Sequence, residues 1–135
     1  MGFRPVFEEK ATVQEQRKGY ADFNDNRDSR ALTYDLKNLV VTEDDEIDVD
    51  DGTRIAVRIY RPKEYDGKVL PAAVFYHGGG WRVGSIQGDD WLCRMIVRDS
   101  KHVVVSVEYR LAPEHPFPTP VNDAYAGFLW VWSLS

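Results

Sequence analysis

Pro71-Ala72-Ala73-Val74-Phe75-Tyr76-His77-Gly78-Gly79-Gly80-Trp81 is the stretch that decides how this chain is read. Ala72 to Tyr76 are apolar without alternation, the pattern of a strand covered on both faces in a parallel sheet. The run stops at His77 and gives way to consecutive glycines. Glycines cost backbone entropy, but they let N–H groups point into a cavity with no side chain in the way. Preorganised amides of that kind stabilise a developing alkoxide by about 3–4 kcal/mol per donor. A dinucleotide-binding reading fails: Gly78 and Gly80 begin a G-x-G, but Val83 stands where the third glycine belongs, and no helix follows at once. A phosphate loop fails because no Gly-Lys-Ser or Gly-Lys-Thr occurs. The plain alternative is a tight turn without chemistry.

Downstream, Asp89 to Ser100 has helical spacing, with Trp91, Leu92, Met95 and Ile96 sharing one face. Asp89 and Asp90 suit the positive end of that helix, and Arg94, Arg98 and Lys101 suit its C-terminal half. His102 to Val107 is a second buried strand. Strand, helix, strand is a crossover unit, so the two strands are expected to run parallel in one sheet. A last helix is expected from Thr119 as N-cap and Pro120 at the first helical position. Val121, Ala124, Tyr125, Phe128, Leu129 and Trp132 form its apolar face, predicted to meet the core.

Upstream, Ile47 and Val49 alternate with acids, and Ile55, Val57 and Ile59 alternate with Arg54, Ala56 and Arg58. Asp51-Gly52 between them predicts an antiparallel hairpin with a two-residue turn and one solvated face. The acids from Glu43 to Asp51 do not make a calcium loop, because counting back from Gly52 puts Val49 and Ile47 at ligand positions. Phe7 to Tyr20 reads either as a helix or as a loosely docked arm.

The chain has 135 residues, 43% hydrophobic and 29% charged, an ordinary balance for one folded domain. Its formal net charge of −5 disfavours phosphate backbones, so nucleic acid is not an expected partner. No apolar run is long enough to span a membrane. MGFRPVFEEK has no apolar core of a secretory signal, and Val6 replaces the Ser or Thr of a myristoylation site. Cys93, the one cysteine, has no disulfide partner in the chain and suits a reducing, cytoplasmic compartment. No repeat or low-complexity tract interrupts the sequence.

A second motif follows the strand that ends at Val107: Val107-Glu108-Tyr109-Arg110-Leu111-Ala112-Pro113-Glu114-His115-Pro116-Phe117-Pro118. With His77-Gly78-Gly79-Gly80-Trp81 before it, the chain from about Asp44 to Ser135 resembles the hormone-sensitive-lipase-like branch of the α/β-hydrolase superfamily, which includes arylacetamide-deacetylase-like esterases. The resemblance implies an α/β fold. An antiparallel hairpin leads into a mostly parallel sheet with flanking helices, the N-terminal half of the hydrolase fold. It implies that Gly79 and Gly80 donate oxyanion-hole N–H groups and that His77, Gly78 and Trp81 belong to the loop motif. It also implies a small-molecule ester as substrate and no cofactor. Residues 1–43 would then be an N-terminal arm or cap-like helix, and 44–135 a partial hydrolase domain. Pro113, Pro116, Pro118 and Pro120 independently suggest a stiff corner between sheet and helix.

The family's nucleophile elbow, G-x-S-x-G, occurs nowhere in the chain. The catalytic acid and His follow the elbow, so no catalytic triad member is expected among these residues, and the fold is read as truncated before the elbow. Ser106 lies inside a buried strand, Ser85 is a loop hydroxyl, and His77 orients the loop rather than acting as a base. His77, His102 and His115 are scattered, with no metal-ligand spacing. The missing elbow strand would lie beside Ala72 to Tyr76. That strand is therefore expected to be a bare apolar edge, suited to self-association or to a complementing C-terminal fragment. The chain alone is expected to be inactive and marginally stable. The alternatives are a non-catalytic interaction protein, one half of a split esterase, or an unrelated small α/β ligand-binding domain.

Overall fold

A computed structural model describes residues 11–31, 36–65, 67 and 69–134. The elements are α1 (Val13–Ala31), α2 (Leu36–Leu39), β1 (Val40–Asp48), β2 (Arg54–Pro62), β3 (Ala72–Tyr76), α3 (Asp90–Ser100), β4 (Val103–Val107) and α4 (Thr119–Ser133). Alternation does build the hairpin: β1 and β2 pair antiparallel from Val40 opposite Pro62 to Asp48 opposite Arg54. The sheet therefore begins at Val40, inside the segment assigned to the arm.

The turn differs from expectation. A two-residue Asp51-Gly52 turn needs positive φ at both positions, and of the two only Gly52 has it, at 78°. The Val49 N–H donates to Thr53 O at 2.9 Å and the Gly52 N–H to Val49 O at 2.9 Å. The loop is thus Asp50, Asp51 and Gly52, with glycine in its left-handed place. Asp51 instead accepts the Thr53 N–H at 3.0 Å.

β3, α3 and β4 form the expected crossover. β3 runs parallel to β4, from Ala72 opposite Val103 to Tyr76 opposite Val107. The strand order is β1-β2-β4-β3, which leaves β3 at an edge of the described sheet. The glycine loop therefore does leave a parallel strand, which removes the ground for an unrelated α/β domain.

Two clusters hold the layers together. On one face Ile47, Val49, Ile55, Val57, Val105 and Val107 pack under Ala126, Trp130 and Val131 of α4. On the other, Val40, Tyr60 and Val104 pack under Cys93, Val97 and Ile96 of α3. Ala73 and Phe75 of β3 reach the second cluster and Val74 the first. β3 is thus covered on both faces, as its composition required, but only half-buried. The hairpin face carrying Arg58 and Tyr60, expected to be solvated, is partly roofed by α3, and Tyr60 is fully buried.

Both helices turn an unexpected side inward. In α3 the buried residues are Cys93 and Val97, not Trp91, Leu92, Met95 and Ile96, which are half-buried. The reason is polar: Asp90 accepts the Tyr60 hydroxyl at 3.1 Å and the Arg94 Nε at 2.7 Å, while Arg94 Nη1 donates to Val40 O at 2.8 Å. A charged pair on the inner surface sets the helix rotation. In α4 the buried residues are Pro120, Asp123 and Gly127. Val121, Tyr125, Phe128, Leu129 and Trp132, predicted to face the core, are all exposed, Trp132 to 69%. Gly127 is where α4 meets β4: a Cβ there would lie 2.6 Å from a Val107 methyl.

α1 is longer and later than the helix expected over Phe7 to Tyr20, of which Phe7 to Lys10 lie outside the described residues. It starts after Thr12, which forms a capping box with Glu15: the Thr12 N–H donates to Oε2 at 2.7 Å and the Glu15 N–H to Oγ1 at 3.3 Å. No helix among the described residues is long and apolar enough to cross a membrane.

Candidate functional site

The glycine loop begins where β3 ends. Gly79, Gly80 and Trp81 all take positive φ, at 132°, 60° and 65°. A Cβ on Gly79 would sit 2.0 Å from the Val83 carbonyl oxygen, so only glycine fits. That crowding follows from the turn itself, in which the Arg82 and Val83 N–H groups both donate to Gly79 O, at 3.2 and 3.1 Å. Gly80 is different: nothing lies within 4 Å of where its Cβ would be. Among the described residues the Gly79 and Gly80 amides donate to no acceptor. Trp81, a large side chain held in the left-handed region, is locally strained.

His77 holds this turn from below. It is buried and stacked on Tyr109, with ring centroids 4.2 Å apart. Its Nδ1 lies 2.9 Å from the Gly78 carbonyl, which can only accept, so Nδ1 carries the proton. Nε2 is buried without a partner among the described residues. The Tyr109 hydroxyl donates to the His77 carbonyl at 2.5 Å. Burial pushes the Tyr109 phenol well above its ordinary value, which keeps it a donor. Trp81 packs edge-on to the same ring at 5.2 Å and accepts the Ala112 N–H at 2.8 Å. The Glu108 carboxylate fixes the far end of the loop through the Ile86 N–H at 2.7 Å.

The proline corner is anchored as firmly. Arg110 donates to the fully buried Asp123 through Nε at 2.8 Å and Nη2 at 2.7 Å, and to Asp51 at 2.7 Å. The Arg110 guanidinium draws the Asp51 pKa down to about 2. The hairpin turn, the exit of β4 and the start of α4 are tied at one point.

α1 lies against the loop. Arg17, Tyr20, Ala21, Asn24 and Asp25 fall at helical spacing on one face and, with Gly84, Ser85, Gln87 and Gly88, bound a cavity of about 260 Å³.

The expected loop residues His77, Gly78, Gly79, Gly80 and Trp81 thus lie together in one turn. The other candidates do not join them. Ser106 is buried in β4, and His115 is exposed in the proline corner. Ser85 Oγ accepts the Gly88 N–H at 3.2 Å, and His102 Nδ1 bonds Ser100 O at 2.8 Å. No group of metal-ligating side chains occurs among the described residues. Arg17, Glu108 and Tyr109 were not anticipated as loop supports. Glu108 and Tyr109 stand inside the second motif, where the signal was their adjacency to a strand end. For Arg17 only the capping box at Thr12 and Glu15 marked the helix, and nothing marked the face.

A family model for the alpha/beta hydrolase fold matches residues 73–135. The carboxylic ester hydrolase LipN of Mycobacterium tuberculosis (strain ATCC 25618 / H37Rv) is 53% identical over 76 residues, covering 56% of this chain and 20% of LipN. A hyperthermophilic esterase from the archaeon Pyrobaculum calidifontis superposes with a TM-score of 0.77 at 39% identity, covering 97% of this chain and 38% of that one. Vibralactone cyclase superposes with a TM-score of 0.85 at 28% identity, covering 97% and 39%. The mixed sheet, its flanking helices and these matches define the class: this is part of an α/β hydrolase fold. Within that superfamily the chain is similar to carboxylic ester hydrolases and esterases, and it spans about a fifth of the length of LipN.

Proposed function

We propose that these residues supply the N-terminal, oxyanion-loop portion of a serine carboxylic-ester hydrolase. Gly79 and Gly80 donate their amides to the tetrahedral oxyanion, and His77, Gly78 and Trp81 shape the loop. The observation that carries this is the pair of Gly79 and Gly80 amides without acceptors among the described residues, on a loop that opens at Gly80 and leaves a parallel strand. Donors left free in the ground state cost no reorganisation when charge develops on the substrate. Short-acyl or aryl esters are the substrate class that the family suggests. Nucleophile, acid and base come from polypeptide outside these 135 residues, so the chain alone turns over nothing. α1 packs beside the loop, and the hydrolase portion begins with β1 at Val40. The one cysteine, Cys93, is free and buried, which suits a reducing, cytoplasmic setting.

A second reading, favoured by the uncharged edge strand β3, makes the chain a binding partner for a complementing fragment that carries the elbow. One experiment addresses both. Hydrolysis of 4-nitrophenyl acetate is measured for the chain alone and with a C-terminal polypeptide bearing G-x-S-x-G from an esterase of this branch. No rate above buffer is expected alone, with activity on complementation that Gly79→Val removes. Turnover by the chain alone, lost in Gly79→Val, overturns its inactivity. Complemented activity indifferent to Gly79→Val overturns the oxyanion assignment.

A further inference from the structure

The chain contains the dipeptide Asp-Gly twice, at Asp51-Gly52 and at Asp66-Gly67. This pair of residues carries a reaction of its own backbone. The amide nitrogen after an aspartate can attack the side-chain Cγ, and glycine leaves that nitrogen unshielded because it has no Cβ. The C–N bond forms, the Cγ–O bond breaks, and the oxygen departs as water with the amide proton, leaving a cyclic succinimide. Solvent water then opens the ring at either carbonyl. One opening regenerates aspartate. The other gives isoaspartate, with an added methylene in the main chain and the carboxylate moved onto Cα.

In the folded hairpin both reacting atoms are engaged. The Gly52 N–H donates to Val49 O at 2.9 Å, which holds the proton on the attacking nitrogen. The Asp51 carboxylate is bound through both oxygens: Oδ1 accepts the Thr53 N–H at 3.0 Å, and Oδ2 accepts from Arg110 Nη1 at 2.7 Å. A charge-assisted bond of this kind favours the ionised carboxylate, whereas only the protonated acid loses its oxygen as water. The Asp51 pKa of about 2 agrees with this. Arg110 is itself pinned, because its backbone N–H, Nε and Nη2 all donate to the fully buried Asp123, at 3.0, 2.8 and 2.7 Å. Yet the turn is open to water. Asp51 and Gly52 are exposed, and nothing lies within 4 Å of where a Gly52 Cβ would be. Hydrogen bonds, not burial, stand between Asp51 and rearrangement.

We propose that Asp51 is a site of isoaspartate formation guarded by Arg110: the Arg110 and Thr53 bonds suppress the rearrangement in the folded chain, and it proceeds whenever they open. Each event moves the carboxylate off the side chain that Arg110 and Thr53 hold, and so unties the hairpin turn from the start of α4. The full chain, Arg110→Lys and the urea-unfolded chain are aged at neutral pH, and isoaspartate is located by electron-transfer mass spectrometry. Asp51 is expected to rearrange about tenfold more slowly in the folded chain than in urea. Arg110→Lys keeps a cation for Asp123 but not the fork, and most of that protection should be lost. Asp66 in urea gives the rate of the same dipeptide without the guard, and Asp51 in urea should match it. Equal rates at Asp51 in the folded and unfolded chains overturn the proposal, as does full protection in a folded Arg110→Lys. An Asp51 rate in urea far below that of Asp66 also overturns it, since the protection would then lie in the local sequence. If Arg110→Lys does not fold, the unaltered chain is aged in rising salt, which screens an ion pair whose Asp51 side is 54% exposed. Faster rearrangement at Asp51 with the fold intact supports the guard, and a rate independent of salt overturns it.

Discussion

At one edge of the sheet β1 carries Glu43, Asp44, Asp45, Glu46 and Asp48, and β2 answers with Arg61, Arg58 and Arg54; at the other edge β3 carries no charge. Glu43 meets Arg61 and Asp44 meets Arg58, each at 2.6 Å, and Glu46 meets Arg54 at 3.0 Å. Charged edge strands repel further strands, which is how sheets end safely in water. Ala72 to Tyr76 have no such device. Beside them α4 shows Tyr125, Phe128 and Trp132 in a stacked row, with its single charge, Asp123, turned fully inward. The first edge has the composition of a boundary and the second that of an interior strand. This chain covers less than two fifths of the solved Pyrobaculum esterase.

Four experiments sharpen or break this contrast. The largest effect is expected at the buried tether of α4. Asp123→Ala leaves Arg110 without its main partner and should cost about 3 kcal/mol in urea unfolding, in the range for breaking a buried pair. The exposed pair of Asp44 should cost under about 1 kcal/mol in Asp44→Asn, and equal losses would erase the distinction between the two sides. Next, Val57→Ala in the sheet interior should cost about 2 kcal/mol and Val74→Ala on β3 about 1 kcal/mol, because a half-buried side chain leaves a smaller cavity. If Val74 costs as much as Val57, β3 is not acting as an edge in solution.

Third, Ala72→Lys with Trp132→Glu gives β3 and α4 the character of β1. Self-association measured by sedimentation should weaken about tenfold, near 1.4 kcal/mol; an unchanged profile would mean that association, if seen, uses another surface. The smallest effect concerns pH. The Asp51 pKa falls from the ordinary 3.8 to about 2 in the folded chain, through the Arg110 bond and then the Thr53 amide. A depressed carboxylate contributes stability that is full above its unfolded value and lost as pH falls through the folded one. The difference in Tm between the chain and Asp51→Asn should therefore be constant above about pH 4 and vanish toward about pH 2. A difference that persists below that range breaks the assignment of Asp51 as the hairpin's tie to Arg110.

The helices show where sequence reasoning stopped. Periodicity in α4 found an apolar stripe, but the helix is apolar on nearly every side, and Ala126, Trp130 and Val131 won the contact with the sheet. Such a helix belongs in the interior of a larger protein, where either face can be buried. In α3 the charges of Asp90 and Arg94 were read only as suiting the two ends of the helix, yet Tyr60 and the Val40 carbonyl drew them inward. The loop was legible as a glycine turn after a strand. The positive φ of Trp81, the Tyr109 stack on His77 and the approach of Arg17 were not, because each depends on residues far apart in the chain.

Local pattern alone determined the hairpin, the crossover and the order of motifs, since alternation, apolar runs and glycine are properties of neighbouring residues, while the superfamily came from the resemblance that the two motifs carry. Only the tertiary structure decided which helix faces are inward, how the turn at Gly52 closes and what braces the glycine loop. Those outcomes follow from competition among distant side chains for the same buried bonds and volume, and no window along the chain contains both competitors.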